Sequence, residues 1–161
     1  MIDTDVLFRI ADAAEGDGRL EFARLSFEHG AALGDEACLT RLAHMHDVGI
    51  GTPVDKALAM RLYQRAWRRA RSVVAANNIA ILYRERGRHR TMAAWFRRAA
   101  ETGDGSAELD LAKCYIDGVG VRKDAVLGLR HLKAAVQSDY ICEDEREEAV
   151  LLMATLAPRA L

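Results

Sequence analysis

The sequence predicts an all-α chain: a right-handed α-α superhelix, or solenoid, of about four stacked helix-turn-helix repeats closed by a C-terminal capping helix. Three observations carry this. First, half of the 161 residues are hydrophobic and only two are proline, Pro53 and Pro158. A chain rich in alanine, leucine and arginine favours helix because straight side chains lose little rotamer freedom there. Second, the chain repeats itself. A shift of 69 positions lays Phe27, Ala31, Gly34, Asp35, Leu42, Ala43, Gly49, Gly51, Asp55, Leu58, Arg61 and Ala66 on Phe96, Ala100, Gly103, Asp104, Leu111, Ala112, Gly118, Gly120, Asp124, Leu127, Arg130 and Ala135 without a gap. Third, 69 is twice a smaller unit, because the Leu-Ala pair at 42–43 and 111–112 has an intermediate copy at Ile79-Ala80 and a weaker first copy at Ile10-Ala11. Units of this size cannot bury their own apolar faces and must stack on their neighbours.

The elements follow in order as one domain spanning residues 1–161. Repeats are expected at about 4–34, 35–70, 71–103 and 104–138, with a capping helix at 143–157. In the second unit Cys38, Leu39, Leu42, Ala43 and Met45 recur at helical spacing before Val48 to Pro53 breaks the pattern. Asp55 is placed to cap the helix that follows, whose apolar stripe runs through Leu58, Leu62, Ala66 and either Trp67 or Tyr63. Asp124 should act in the same way in the fourth unit. Ala43, Ala80 and Ala112 keep helix axes close. Gly34 and Gly103 suit left-handed turns, with Asp35 and Asp104 capping the next helix. In the last helix, Glu143-Asp144-Glu145 and Glu147-Glu148 suit the positive end of the helix dipole. Ala149, Leu152, Met153 and Leu156 form a stripe that seals the stack before Pro158.

The segment Leu111 to Asp124, LAKCYIDGVGVRKD, preceded by WFRRAAETGD from Trp95 to Asp104, resembles the Sel-one-like repeat family, a branch of the tetratricopeptide-like superfamily. The resemblance covers roughly residues 4–138. The third unit departs from it, turning tightly at Arg86-Gly87-Arg88 with no GxG loop, and the join at Ala70-Arg71-Ser72 has no glycine. The second unit has His46 where the family has tyrosine. The resemblance implies a non-enzymatic adaptor or scaffold for protein partners, including immunity-type or chaperone-like binders of an effector. It also implies a partner-binding groove on the first helices, carried over to Phe8, Asp12, Thr40, His44, Asn77, Ile81, Leu109 and Lys113, with Asp47 and Arg84 one turn on.

Charge is segregated although the total is −1. Residues 1–60 carry 5 basic and 11 acidic groups; residues 61–98 carry 11 arginines against Glu85 alone; residues 99–161 carry 7 basic and 12 acidic. Arg61, Arg65, Arg68, Arg69, Arg86, Arg88, Arg90, Arg97 and Arg98 are therefore a candidate basic surface, since guanidinium forks pair with carboxylates and phosphates. The balance favours a protein partner with an acidic surface. It disfavours nucleic acid, whose phosphates the acidic ends would repel. The alternative reading is a self-assembling module, a homo-oligomer in which acidic ends meet the basic middle of another copy.

Catalytic readings find little support. His44 and His46 are about 200° apart around a helix, and no HExxH accompanies them, so no metal is expected. Gly49-Ile50-Gly51 and Gly118-Val119-Gly120 follow helices and lack a Walker lysine, so they are read as loop glycines. Cys114 lies on an apolar stripe as packing, and Cys38, Cys114 and Cys142 have no CxxC spacing. No cofactor is expected. With no membrane-length apolar run and acids near Met1, a cytoplasmic protein is expected.

Overall fold

The computed structural model describes residues 3–156. Among them are nine helices: α1 (Thr4–Gly16), α2 (Leu20–Leu33), α3 (Glu36–Val48), α4 (Lys56–Ala70), α5 (Val73–Glu85), α6 (His89–Ala100), α7 (Gly105–Asp117), α8 (Ala125–Gln137) and α9 (Glu143–Leu156). The fold is all-α. Pro158 and position 157 of the expected capping helix lie outside the described residues. The chain divides into two compact units, Met1–Ala75 and Ala76–Leu161, and α5 begins in the last residues of the first.

The aspartates cap as their spacing predicts. Asp35 accepts from the Cys38 N–H at 2.7 Å, Asp55 from Leu58 at 2.8 Å, Asp104 from Ala107 at 2.8 Å, and Asp124 from Val126 and Leu127 at 3.0 and 2.9 Å. Each satisfies donors that a helix start leaves without partners. Connections come in two kinds. The α1–α2 and α5–α6 turns are short, with Gly18 and Gly87 left-handed. The α3–α4 and α7–α8 loops are long, each with two left-handed glycines, and each is closed by the same bond: Asp55 N–H to the His46 carbonyl at 2.7 Å, Asp124 N–H to that of Tyr115 at 2.9 Å. This alternation explains why a shift of two repeats aligns the sequence better than a shift of one.

In the first unit α1 packs on α2, α2 on α3 and α3 on α4. Ala11, Ala14, Phe27, Leu39, Ala43, Met45 and Tyr63 are among its buried core. At Gly30 a side chain would collide with the Cys38 sulfur, so the missing Cβ sets how closely α2 approaches α3. Arg65 and Arg69 of α4 reach the carbonyl end of α2: Arg65 donates to the Ala31 carbonyl at 3.5 Å, and the Arg69 guanidinium lies beside Gly34. That end of α2 has no basic residue of its own, so these cations meet its partial negative charge.

In the second unit α6 packs on α7, α7 on α8, and α9 on both α8 and α7. Leu109, Ala112, Leu132, Ala135, Ala149 and Leu156 form one buried cluster, with Leu152 and Met153 partly buried against it. α9 thus seals this core through the stripe read from the sequence. Ser138 satisfies the end of α6, its hydroxyl donating to the Gly103 carbonyl at 2.7 Å. Arg146 of α9 donates to the Val136 and Ser138 carbonyls at the end of α8.

Candidate partner-binding surfaces

In the first unit the candidate groove positions fall on α1 and α3. Phe8 is half-buried against Phe27 at 5.5 Å between ring centres, and Asp12 is exposed. Thr40 is buried, its hydroxyl donating to Glu36 at 2.8 Å, while His44 is half-buried. Asp47 is buried and lies 2.7 Å from the Lys56 ammonium, an ion pair that ties the end of α3 to the start of α4. Its charge, together with burial, raises the pKa of the buried Tyr63 hydroxyl, burial being the larger cause. Thr40 and Asp47 therefore serve the interior, while Asp12 and His44 keep surface to offer.

In the second unit Leu109 belongs to the core, and Ile81 is half-buried. Asn77 donates through its amide nitrogen to the cap Asp104 at 3.0 Å, and its amide oxygen is buried without a hydrogen-bond partner. Lys113 pairs with Glu148 of α9 at 2.7 Å, and Glu145 accepts from Ser106 at 2.6 Å, so part of the acidic face of α9 is engaged within the unit. Asp144 and Glu147 remain exposed.

The arginines divide between the units. α4 carries Arg61, Arg65, Arg68 and Arg69 with no acidic residue; Arg61, Arg68 and Arg69 are exposed. The spacing of 61, 65 and 68 puts these three on one helix face. In the second unit Arg86, Arg88 and Arg90 are exposed around the α5–α6 turn. On α6, Arg97 donates to the Tyr115 hydroxyl at 3.1 Å, and Arg98 lies over the Trp95 ring at 4.5 Å. α6 has no acidic residue either.

The second unit also holds a cleft of about 180 Å³ between the end of α5, α6, α7 and the α7–α8 loop. Met92, Phe96 and Cys114 form its buried floor, Val119 its lip, and Arg84, His89, Asp110, Lys113 and Asp117 its rim. Burial raises the Asp110 carboxyl above its ordinary value, against the pull of Lys113 and Arg84. Burial likewise pushes the Cys114 thiol up to about 11, so it is a packed thiol rather than an activated nucleophile. Of these residues only Arg84 and Lys113 are candidates from the sequence. For Asp110 the sequence holds a trace that becomes readable once the structure pairs the side chains: the 69-residue shift turns Glu15 and Arg41 into Arg84 and Asp110, an inverted charge pair. The pair is closed in the first unit, Arg41 holding Glu15 through two bonds at 2.8 and 2.5 Å. In the second it is loose, with Arg84 and Asp110 3.9 Å apart and the arginine side chain half-exposed.

Among the described residues no helix is long and apolar enough to cross a membrane, and no group of three or more histidine, cysteine or acidic side chains is arranged to hold a metal ion.

No curated protein sequence matches the chain. The Sel1 repeat family model matches residues 37–68, 93–104 and 105–140. Among solved structures, a Sel1 repeat protein from Oxalobacter formigenes is similar with a TM-score of 0.79 and 20% identity, over 96% of this chain and 62% of that one. A protective antigen of uropathogenic Escherichia coli strains that displays an SLR fold is similar with a TM-score of 0.72 and 17% identity, over 97% of this chain and 46% of that one. The chain thus spans less than two thirds of either neighbour's length. The matched repeats, the paired helices with their capped loops, and the solenoid fold of these neighbours together make the chain a member of the Sel1-repeat family, a tetratricopeptide-like helical repeat fold.

Proposed function

We propose that the chain is a non-enzymatic adaptor or scaffold that binds a protein partner with an acidic surface, the arginine-rich face of α4 making the principal contact. Sel1 repeats generally mediate protein–protein interactions, and the family is typically non-catalytic. The observation that carries the finer reading is that Arg61 and Arg68 stand exposed on one face of a helix that has no acid of its own to neutralise them. Guanidinium groups so displayed gain most from planar carboxylates. A partner that is an effector held by an immunity-type or chaperone-like protein belongs to the same reading, as does a cytoplasmic setting. Self-assembly through α9 is the weaker reading, because Glu145 and Glu148 already have partners inside the second unit.

Titration with poly-L-glutamate and with duplex DNA tests this. Polyglutamate should bind, weaken as salt rises, and lose about tenfold or more in affinity in the double variant Arg61→Glu, Arg68→Glu with helicity unchanged. Tighter binding to DNA, or polyglutamate binding indifferent to the double variant, overturns the reading. Sedimentation at low and high salt gives the self-assembly reading its own test: an assembly that dissociates with salt would support it.

A further inference from the structure

The geometry points to the cleft beneath Arg84 as a pocket for one aliphatic side chain of an acidic partner segment, with a carboxylate next to that side chain held by the Arg84 guanidinium. This rests on the adaptor reading and names the chemistry that a partner would present.

Size decides the first half. Pockets for cofactors and other small molecules run to roughly 300–1,000 Å³, whereas this cleft holds about 180 Å³ above Met92, Phe96 and Cys114. Such a space suits a single leucine-like group. Comparison of the two copies shows how its lining differs from the equivalent positions of the first unit. At the positions of Leu20, Met45 and Ile50 in the first unit, the second has His89, Cys114 and Val119. All three carry less aliphatic bulk. Met92 in place of Ala23 restores most of that volume, so the exchanges reshape the lining of the cleft more than they empty it.

Charge decides the second half. In the first unit the equivalent ion pair is closed on itself by two short bonds, whereas Arg84 stands half-exposed at 3.9 Å from Asp110 and has donors to offer. Along α7, Asp110 and Asp117 repel an anion, and Lys113 between them is already paired with Glu148 at 2.7 Å. On the opposite side the chain runs from Arg84 through Arg86, Arg88 and Arg90 with only Glu85 against them. An incoming carboxylate is thus directed to the α5–α6 side of the rim. A bound aliphatic group would also shield the Arg84–carboxylate contact from water, which strengthens it.

The test uses two blocked peptides, Glu-Glu-Leu-Leu-Glu-Glu and Glu-Glu-Ala-Ala-Glu-Glu, followed by amide and methyl NMR shifts of the whole chain. The leucine peptide should move the resonances of Met92, Cys114 and Val119 and bind about tenfold or more tighter than the alanine peptide. Val119→Trp, which obstructs the lip, and Arg84→Glu should each abolish that preference. Val126→Trp, at a site 73% exposed on α8, should leave it intact. Equal binding of the two peptides, or leucine-peptide shifts confined to α4, overturns the pocket while leaving the adaptor reading standing. If neither peptide nor polyglutamate binds anywhere, both fail.

Discussion

Arg71 occupies the turn between α4 and α5 at φ 53°, a left-handed conformation that Gly34 and Gly103 adopt at φ 102° and 87° at their turns. A Cβ in that region costs about 1 kcal/mol, and the guanidinium 5.1 Å from the Trp67 ring recovers part of it. Arg71→Gly should therefore change stability by between zero and about 1 kcal/mol in the favourable direction, net of the greater freedom of glycine when unfolded. Gly103→Ala should cost about 1 kcal/mol from the backbone alone, because the added methyl meets nothing within 4 Å. Urea midpoints of the two variants check both signs. The cysteines give a second prediction. Burial, aided by Asp35, pushes the Cys38 thiol up to about 12, and burial pushes Cys114 up to about 11, from an ordinary 9.0. A group whose folded pKa is raised stabilises fully below its unfolded pKa, and that contribution fades as pH climbs to the folded value. Stability should accordingly decline from about pH 9 upward, a decline weakened by replacing either thiol with alanine relative to the variant's own neutral-pH stability. At neutral pH a thiol reagent should label exposed Cys142 first, Cys114 only slowly through the cleft because its thiol stays protonated, and Cys38 only on unfolding.

Between elements, the α7–α8 loop fixes α6. A Cβ on Gly120 would collide with the His89 carbonyl and crowd the Arg90 nitrogen, and Gly51 is pressed in the same way against Leu20 at the start of α2. These loop glycines serve two demands at once, a left-handed backbone and backbone-to-backbone approach. Gly120→Ala should thus cost about 2–4 kcal/mol, the sum of strain and overpacking. Gly87→Ala, left-handed but with open space around it, should cost only about 1 kcal/mol. Thermal unfolding of the pair separates the two terms, and equal losses would show that the loop yields without displacing α6. Caps and glycines of this kind were legible in the sequence because few residue types can do their work. Arg71 was not, since nothing in a sequence marks an arginine that takes a glycine's conformation. Thr40, Asp47 and Leu109 show a different limit: their distance from the Leu-Ala pair places them on a first helix, but whether a neighbour covers them depends on side chains of other elements, such as Lys56 over Asp47.

Across the whole molecule, the 69-residue shift carries one architecture with two electrostatic solutions. Glu15 and Arg41 become Arg84 and Asp110, so the sign of each partner inverts while the contact between first helices of successive repeats is kept. The period could be read from apolar and glycine positions, whereas the inversion is invisible to any search for identities and emerges only when the paired side chains are seen facing each other. If the two pairs are equivalent solutions, the second can be written into the first unit. Glu15→Arg alone sets two guanidinium groups together where the native carboxylate is only 10% exposed, and should cost about 2 kcal/mol, between the values for surface and buried pairs. Arg41→Asp alone should cost a similar amount by facing Glu15 with a second carboxylate. The double variant should regain most of the loss and return to within about 1 kcal/mol of the parent, a coupling that a double-mutant cycle by urea unfolding reads directly. Additive losses would mean that the bidentate Arg41–Glu15 geometry, rather than the pairing of opposite charges, holds α1 to α3, and that the looser Arg84–Asp110 pair answers a demand peculiar to the cleft it borders.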